Sequence, residues 1–312
     1  MKYRNRLGLK LCVAWIVAGV LLPSFARNHD EALEWFQDSR FGIFLHWTSQ
    51  SISGDWSDNS GLDLGEKRPN RTEQIRRFKE FNPQQFDANE WLDVVTRSGA
   101  KYISFTTKHV LGFCMWDNPY SEFDIMSTDF KRDICKELAA GARARDLGLF
   151  WYYGSSDMQH PDYKRELTDP ESPFYDYQSK TAELLVTQYG RIDGMWWDGK
   201  HKDRNEELMT MVKSHQPHLL MTGRYYKPSG DFSTPEQEVG AFNIDSPWES
   251  CIPIQGITWM WNGGRDIKDS TTCLRALAQC TVGGGNLLLN ISPKPDGSLQ
   301  KEQVDVLLEM GV

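Results

Sequence analysis

Three apolar runs in this chain each end in a side chain able to do chemistry: Phe41-Gly-Ile-Phe-Leu-His-Trp47, Tyr102-Ile-Ser-Phe-Thr-Thr-Lys-His109 and Met195-Trp-Trp-Asp-Gly199. Asp198 is the foremost of these. Two indoles precede it and would partly desolvate its carboxylate, and Gly199 lets a ligand approach the backbone closely. Such a carboxylate suits nucleophilic attack at an anomeric carbon; the plainer alternative is a helix N-cap after a βα turn. Glycoside hydrolysis needs a second carboxyl as acid and base, roughly 5–5.5 Å away when configuration is retained. Glu236, in Asp231-Phe-Ser-Thr-Pro-Glu236, and Glu249, in Pro247-Trp-Glu249, are the candidates. His46 and His109 end the first two runs and are expected at the same edge as Asp198, where they suit hydroxyl recognition. Arg224 ends a further run and can pair with a carboxylate such as Asp198. His46, His109 and Asp198 would suffice for a three-ligand metal site, but no H-x-H or HExxH spacing supports one, and no metal is expected. A Ser-His-Asp hydrolase would need a G-x-S-x-G elbow, which is absent.

The elements that must position these residues read as follows. Runs of five to seven residues rich in Ile, Phe and Trp are buried strands. Strands are expected over Phe41–Trp47, Lys101–Thr107, Leu147–Gly154, Asp193–Gly199, Leu219–Arg224, Gly256–Trp261 and Asn286–Ile291. Helices are expected over Asp87–Ser98, Lys131–Arg145, Phe174–Tyr189, Glu206–His215 and Ser270–Val282. A long polar loop runs from Ser49 to about Arg71. Strands alternating with helices of these lengths make parallel βα units. About seven units favour an α/β fold of the (β/α)8-like TIM barrel kind, imperfect or complete, over a doubly wound sheet. No GxGxxG follows the first strand and no P-loop is present, which weighs against nucleotide folds; Gly283-Gly-Gly285 reads as a turn. In a barrel, residues at the carboxyl ends of strands meet at one face, so His46, His109 and Asp198 belong to one site.

The 312 residues suffice for one such barrel, and 39% hydrophobic residues for its core. The net charge of −8 argues against nucleic-acid binding. Twelve Trp and eleven Tyr exceed what the core needs, and flat apolar faces with polar edges suit sugar rings. Residues 1–26 read as a secretory signal peptide. Lys2, Arg4, Arg6 and Lys10 are followed by apolar Leu11–Leu22 and by Ser24-Phe25-Ala26, a small-residue cleavage site. The apolar run is too short to span a membrane comfortably, so a secreted or periplasmic protein without a stable membrane span is expected. Residues 27–312 would then be the catalytic barrel. Removing the signal takes Cys12; Cys114, Cys135, Cys251, Cys273 and Cys280 remain, without C-x-x-C spacing, as buried small hydrophobes with at most one disulfide. Asn70-Arg-Thr72 and Asn290-Ile-Ser292 match the glycosylation sequon, the second at a strand end where it is inaccessible. The sequence stops at Met310-Gly-Val312, in or just after a helix, and reads as truncated.

Taken together and in order, these motifs resemble the α-L-fucosidases of glycoside hydrolase family 29. The likeness runs from about Trp35 to the end. It is carried by Arg40-Phe-Gly-Ile-Phe-Leu-His-Trp47, Phe81-Asn-Pro-x-x-Phe-Asp-Ala88, Gly99-Ala-Lys-Tyr102, Thr107-Lys-His109 with Gly112-Phe113, Trp196-Trp-Asp-Gly199, Thr234-Pro-Glu-Gln237, Pro247-Trp-Glu249 and Gly284-Gly-Asn-Leu-Leu-Leu-Asn290. The resemblance implies a retaining exo-fucosidase on a distorted barrel, acting on a fucosylated oligosaccharide or glycoconjugate without a cofactor. Asp198 falls on the family's nucleophile and Glu236 on the acid/base of some members, with Glu249 the runner-up. His46, Trp56, His109, Tyr152, Trp196 and Arg224 fall on positions lining the fucose pocket, with Asp55 beside them. The chain departs from the family twice. His109-Val-Leu-Gly-Phe113 stands where His-His-Asp-Gly-Phe is usual, and Asp55-Trp56 where Glu-Trp is usual. Val110 cannot bond a hydroxyl and Asp55 reaches one methylene less far, which leaves open a glycosidase for a modified or internal fucoside, or a carbohydrate-binding protein impaired in catalysis. The family commonly carries a β-sandwich after the barrel, for which this sequence leaves no room.

Overall fold

In the computed structural model the described residues are 27–52, 76, 78–163, 171–199, 205–222, 224 and 230–311. Seven strands form one parallel sheet: β1 (Phe41–Leu45), β2 (Tyr102–Lys108), β3 (Gly148–Gly154), β4 (Gly194–Asp198), β5 (Leu220–Met221), β6 (Glu249–Pro253) and β7 (Asn286–Ile291), in the order β5-β4-β3-β2-β1-β7-β6. Parallel strands covered on both faces need apolar side chains on both. The outward residues, such as Ile43, Phe105, Trp151, Trp197 and Leu289, pack under the helices. The inward residues Phe44, Tyr102, Phe150, Tyr152, Trp196, Leu220, Cys251 and Leu288 form a second cluster within the curl. Each fully buried aromatic or aliphatic side chain contributes about 1.5–3 kcal/mol.

The helices are α1 (His29–Ser39), α2 (Ala88–Arg97), α3 (Ile134–Ala144), α4 (Pro173–Thr187), α5 (Asn205–His215), α6 (Ser270–Val282) and α7 (Lys301–Met310). Side chains of Asp87, Asp133, Ser172 and Asp269 cap α2, α3, α4 and α6 by accepting from the otherwise unpaired first-turn N–H groups. Helix α1 plugs the amino-terminal mouth of the curl. Its Phe36 lies 5.7 Å from the rings of Tyr102 and Phe150 and 4.5 Å from Phe232. The interior is thus filled from below, which leaves its carboxyl end open for a site.

No ladder joins β5 to β6 among the described residues. Residues 231–237 occupy that gap, with isolated parallel bridges pairing Thr222 with Phe232, Ser233 with Trp248, and Glu236 with Cys251. The sheet is a distorted (β/α)8-like barrel whose closing edge is this irregular segment. Two expected spans need correction. Gly256–Trp261 is not a strand: Gly256 turns the chain with φ +46°, and the Gln255 side chain donates to the carbonyl of Met260 at 2.5 Å, folding the run into a loop. The strand is Glu249–Pro253, so Glu249 opens β6 rather than preceding it. The run expected over Leu219–Arg224 is a strand only at Leu220–Met221. Cys114, Cys135, Cys251, Cys273 and Cys280 are all buried and free, which settles the open disulfide in favour of none among them. Residues 1–26, with the expected signal peptide and Cys12, and residues 53–75, with Asp55, Trp56 and Asn70, lie outside the described residues.

Candidate active site

Asp198 is the last residue of β4. Alternation along that strand puts Trp196 inward one layer below it, and the register Tyr152↔Trp196 brings β3's tyrosine alongside. The Tyr152 hydroxyl donates to Asp198 Oδ2 at 2.7 Å, and Arg224 Nε lies 3.1 Å from Oδ1. The backbone carbonyl of Asp198 is held by the Ser155 N–H at 2.7 Å and the Ser155 hydroxyl at 2.8 Å. Gly199 follows at φ +125°, where an added Cβ would strike that hydroxyl. These contacts fix the carboxylate without covering it: its side chain stays 23% exposed.

Arg224 also pairs through Nη2 with Glu236, so one guanidinium reaches both carboxylates. Burial opposes its charge, but Asp198 and Glu236 outweigh that and raise its pKa. Its guanidinium carbon sits 5.1 Å from the indole centre of Trp196. Glu236 is held by its segment: Cys251 N–H donates to the Pro235 carbonyl at 3.0 Å, and Gln237 N–H to the Cys251 carbonyl at 2.9 Å. That alignment with β6 carries Glu236 to the carboxyl edge beside Cys251.

His46 follows β1 and is buried. Its Nδ1 is 2.6 Å from Asn290 Oδ1, and Asn290 Nδ2 donates to the Trp259 carbonyl at 2.9 Å. That second bond identifies Oδ1 as the acceptor, so Nδ1 of His46 donates and Nε2 is left as an acceptor. Burial, with His109 nearby, lowers the His46 pKa well below the usual value. His109 stacks on Tyr152 with centroids 5.6 Å apart, and burial lowers its pKa to about 4 against the opposing pull of Asp198. Both imidazoles are therefore neutral near pH 7, able to exchange hydrogen bonds with hydroxyls without adding charge.

A single cavity is lined by Phe44, His46, His109, Tyr152, Trp196, Asp198, Arg224, Glu236, Cys251 and Trp259. It brings together His46, His109, Tyr152, Trp196, Asp198, Arg224 and Glu236 from the sequence-derived set. Glu249 is not among the lining residues. It starts β6, is 1% exposed, and lies under Trp196, whose indole N–H donates to it at 3.1 Å. Burial raises its pKa to about 7, against hydrogen bonds from Tyr102 and Trp196. Sequence reasoning missed Phe44, Trp259, Cys251 and Asn290 as members or supports of the site. Asn290 was legible by the rule that found His46, as a polar residue near the carboxyl end of an apolar strand; its sequon is fully buried, as expected.

The chain matches the model of the alpha-L-fucosidase family over residues 23–312. It is 28% identical to human plasma alpha-L-fucosidase and 27% identical to a fucosidase called putative from Caenorhabditis elegans, each match covering 89% of this chain. It spans about two thirds of the length of these relatives, 66% and 64%. Alpha-L-fucosidase isoenzyme 1 from Paenibacillus thiaminolyticus superposes with a TM-score of 0.81 at 28% identity, over 91% of this chain and 75% of that one. An alpha-L-fucosidase from Lactobacillus casei superposes at 0.79 over 90% and 97%, at 22% identity, a likeness of fold alone. With its match extending over residues 23–312, the chain belongs to the alpha-L-fucosidase family, glycoside hydrolase family 29.

Proposed function

We propose that this chain removes terminal α-L-fucose from fucosylated oligosaccharides or glycoconjugates by double displacement, with retention of configuration. Asp198 attacks the anomeric carbon and forms a fucosyl ester as the glycosidic C–O bond breaks. Glu236 gives its proton to the departing oxygen and then takes one from the water that hydrolyses the ester. The observation that carries the reading is the pair of accessible carboxylates, Asp198 and Glu236, spanned by one guanidinium in a single cavity. Contact with the same guanidinium and a shared cavity support the two carboxylates acting as a pair, and retention is the stereochemistry the proposal takes for that pair. Access favours Glu236 over Glu249 as acid and base, since only Glu236 lines the cavity with Asp198. The cavity floor suits a 6-deoxy sugar: Phe44 and Trp259 offer an apolar wall to a methyl group, while His46 and His109 offer neutral nitrogens to hydroxyls. A cavity closed below by Trp196 fits a chain end, hence exo action.

The protein is exported. Residues 1–26 carry that reading, and the naming of human and rat relatives as plasma enzymes supports it. The test is hydrolysis of an aryl α-L-fucoside by the parent and by Asp198→Asn, with the first-formed sugar followed by NMR. Release of α-fucose by the parent and none by the variant is expected. An undiminished Asp198→Asn variant, or β-fucose as first product, would refute the mechanism.

A further inference from the structure

Glu249 is buried inside the barrel at the N–H edge of the Trp196 indole and does not line the cavity. Both of its carboxyl oxygens are engaged by side chains of other strands. The Tyr102 hydroxyl of β2 donates to Oε2, and the Trp196 indole N–H of β4 donates to Oε1 at 3.1 Å. Asn286 of β7 donates in turn to the Tyr102 oxygen at 3.4 Å. The anchored indole is a wall of the site. Tyr152 stacks on it with centroids 5.5 Å apart and planes 25° apart, and the Arg224 guanidinium rests against its ring. Among the described residues, Tyr152 and Arg224 are the two side chains that hold the carboxylate of Asp198.

We infer that Glu249 is a positioning residue, which fixes the Trp196 indole and through it the Tyr152 and Arg224 side chains that aim Asp198; this rests on the fucosidase reading of the site. The indole N–H has a single donor direction, and inside the barrel the Glu249 carboxyl meets it. Without that acceptor the ring can turn about its side-chain bonds, and its two neighbours turn with it. A displacement of about 1 Å at a reacting group can cost on the order of 10²-fold in rate.

The experiment compares Glu249→Gln, Glu249→Leu and Glu236→Gln in the full chain on two α-L-fucosides, one with a nitrophenol leaving group and one with an alkyl alcohol. Rates are taken per folded molecule. Positioning predicts that Glu249→Leu lowers kcat/KM by on the order of 10²-fold on both substrates alike. It also predicts that Glu249→Gln, which keeps an acceptor for the indole, recovers most of that loss, and that azide rescues neither. A Glu249→Gln loss of kcat/KM confined to the alkyl fucoside, with azide restoring kcat on the nitrophenyl fucoside, would make Glu249 the acid/base and overturn the inference. So would a Glu249→Leu variant with parental kinetics and only a lowered melting temperature. A second readout does not depend on turnover. The Trp196 indole N–H resonance, assigned by its loss in Trp196→Phe, should move in Glu249→Leu; an unmoved resonance would refute the contact. A parent inert towards every α-L-fucoside, with that resonance moving as expected, would sink the fucosidase reading while upholding the anchoring of Trp196.

Discussion

Glu249 also makes the fold sensitive to pH in a direction that a single substitution can expose. Burial raises its carboxyl from the ordinary 4.5 to about 7, despite the hydrogen bonds from Tyr102 and Trp196. A raised folded-state pKa means that the native protein holds a proton the unfolded chain has already released. The stabilisation is fully present below about pH 4.5 and is lost as pH rises through 7. The shift corresponds to about 3 kcal/mol of penalty on the charged form, borne in full above pH 8. Glutamine does not titrate. Between pH 5 and pH 8, therefore, the parent should lose roughly 2–3 kcal/mol relative to Glu249→Gln in urea unfolding, read as the change in their stability difference. His46 and His109 are shifted the other way, both lowered by burial, so their contribution falls as pH drops below about 6.5. They are common to both proteins and cancel in the comparison. Parallel stability profiles, agreeing within about 1 kcal/mol across the range, would refute the reasoning. They would mean that the two hydrogen bonds offset the whole cost of burying the charge.

Two further outcomes are expected. Tyr152→Phe keeps the ring that stacks on Trp196 and His109 but removes the hydroxyl that reaches Asp198 at 2.7 Å. A hydrogen bond to a charged group is worth about 1.5–3 kcal/mol, so kcat on an aryl α-L-fucoside should fall roughly 10- to 100-fold with little change in KM; an unchanged kcat would contradict the assigned role. Lys108 is fully buried, 3.9 Å from Asp157 and 4.5 Å from the centre of the Tyr153 ring. Lys108→Met leaves Asp157 without its cation, which should cost about 3–5 kcal/mol; a calorimetric melting temperature within a degree of the parent's would show the pair to be dispensable.

Much of this site was legible because four of its strands are apolar for a local reason. Burial on both faces of a parallel sheet demands runs such as Phe41–Leu45 and Met195–Trp197. A polar side chain at the end of such a run, as with His109 and Asp198, stands out against it. The other side of the barrel lacks that contrast. β6 reads Glu-Ser-Cys-Ile-Pro, a poor strand by composition, because its polar groups are satisfied by residues outside the strand: Glu249 across the barrel by Tyr102 and Trp196, Ser250 by the Gly240 N–H. No pattern within a few residues reports partners that lie 147, 53 or 10 positions away. The neighbouring Gly256–Trp261 misleads in the opposite sense. It is apolar because Trp259 packs beside Phe44 and His46 at the cavity, not because it is a strand.

The choice between Glu236 and Glu249 turns on the same failure of contrast. By sequence both are acidic residues in polar stretches, and both fall near family motifs. What separates them is the layer each occupies. Glu249 opens β6 and pairs in register with Asn286, the first residue of β7, so it belongs to the amino-terminal half of the barrel. Glu236 bridges Cys251, two residues further along the same strand and one inward layer higher, where the cavity begins. An acid that must protonate a leaving oxygen has to share a space with the nucleophile. On the proposed mechanism, a carboxyl one layer down, its two oxygens already engaged by a phenol and an indole, acts on the nucleophile through Trp196 rather than on the leaving oxygen.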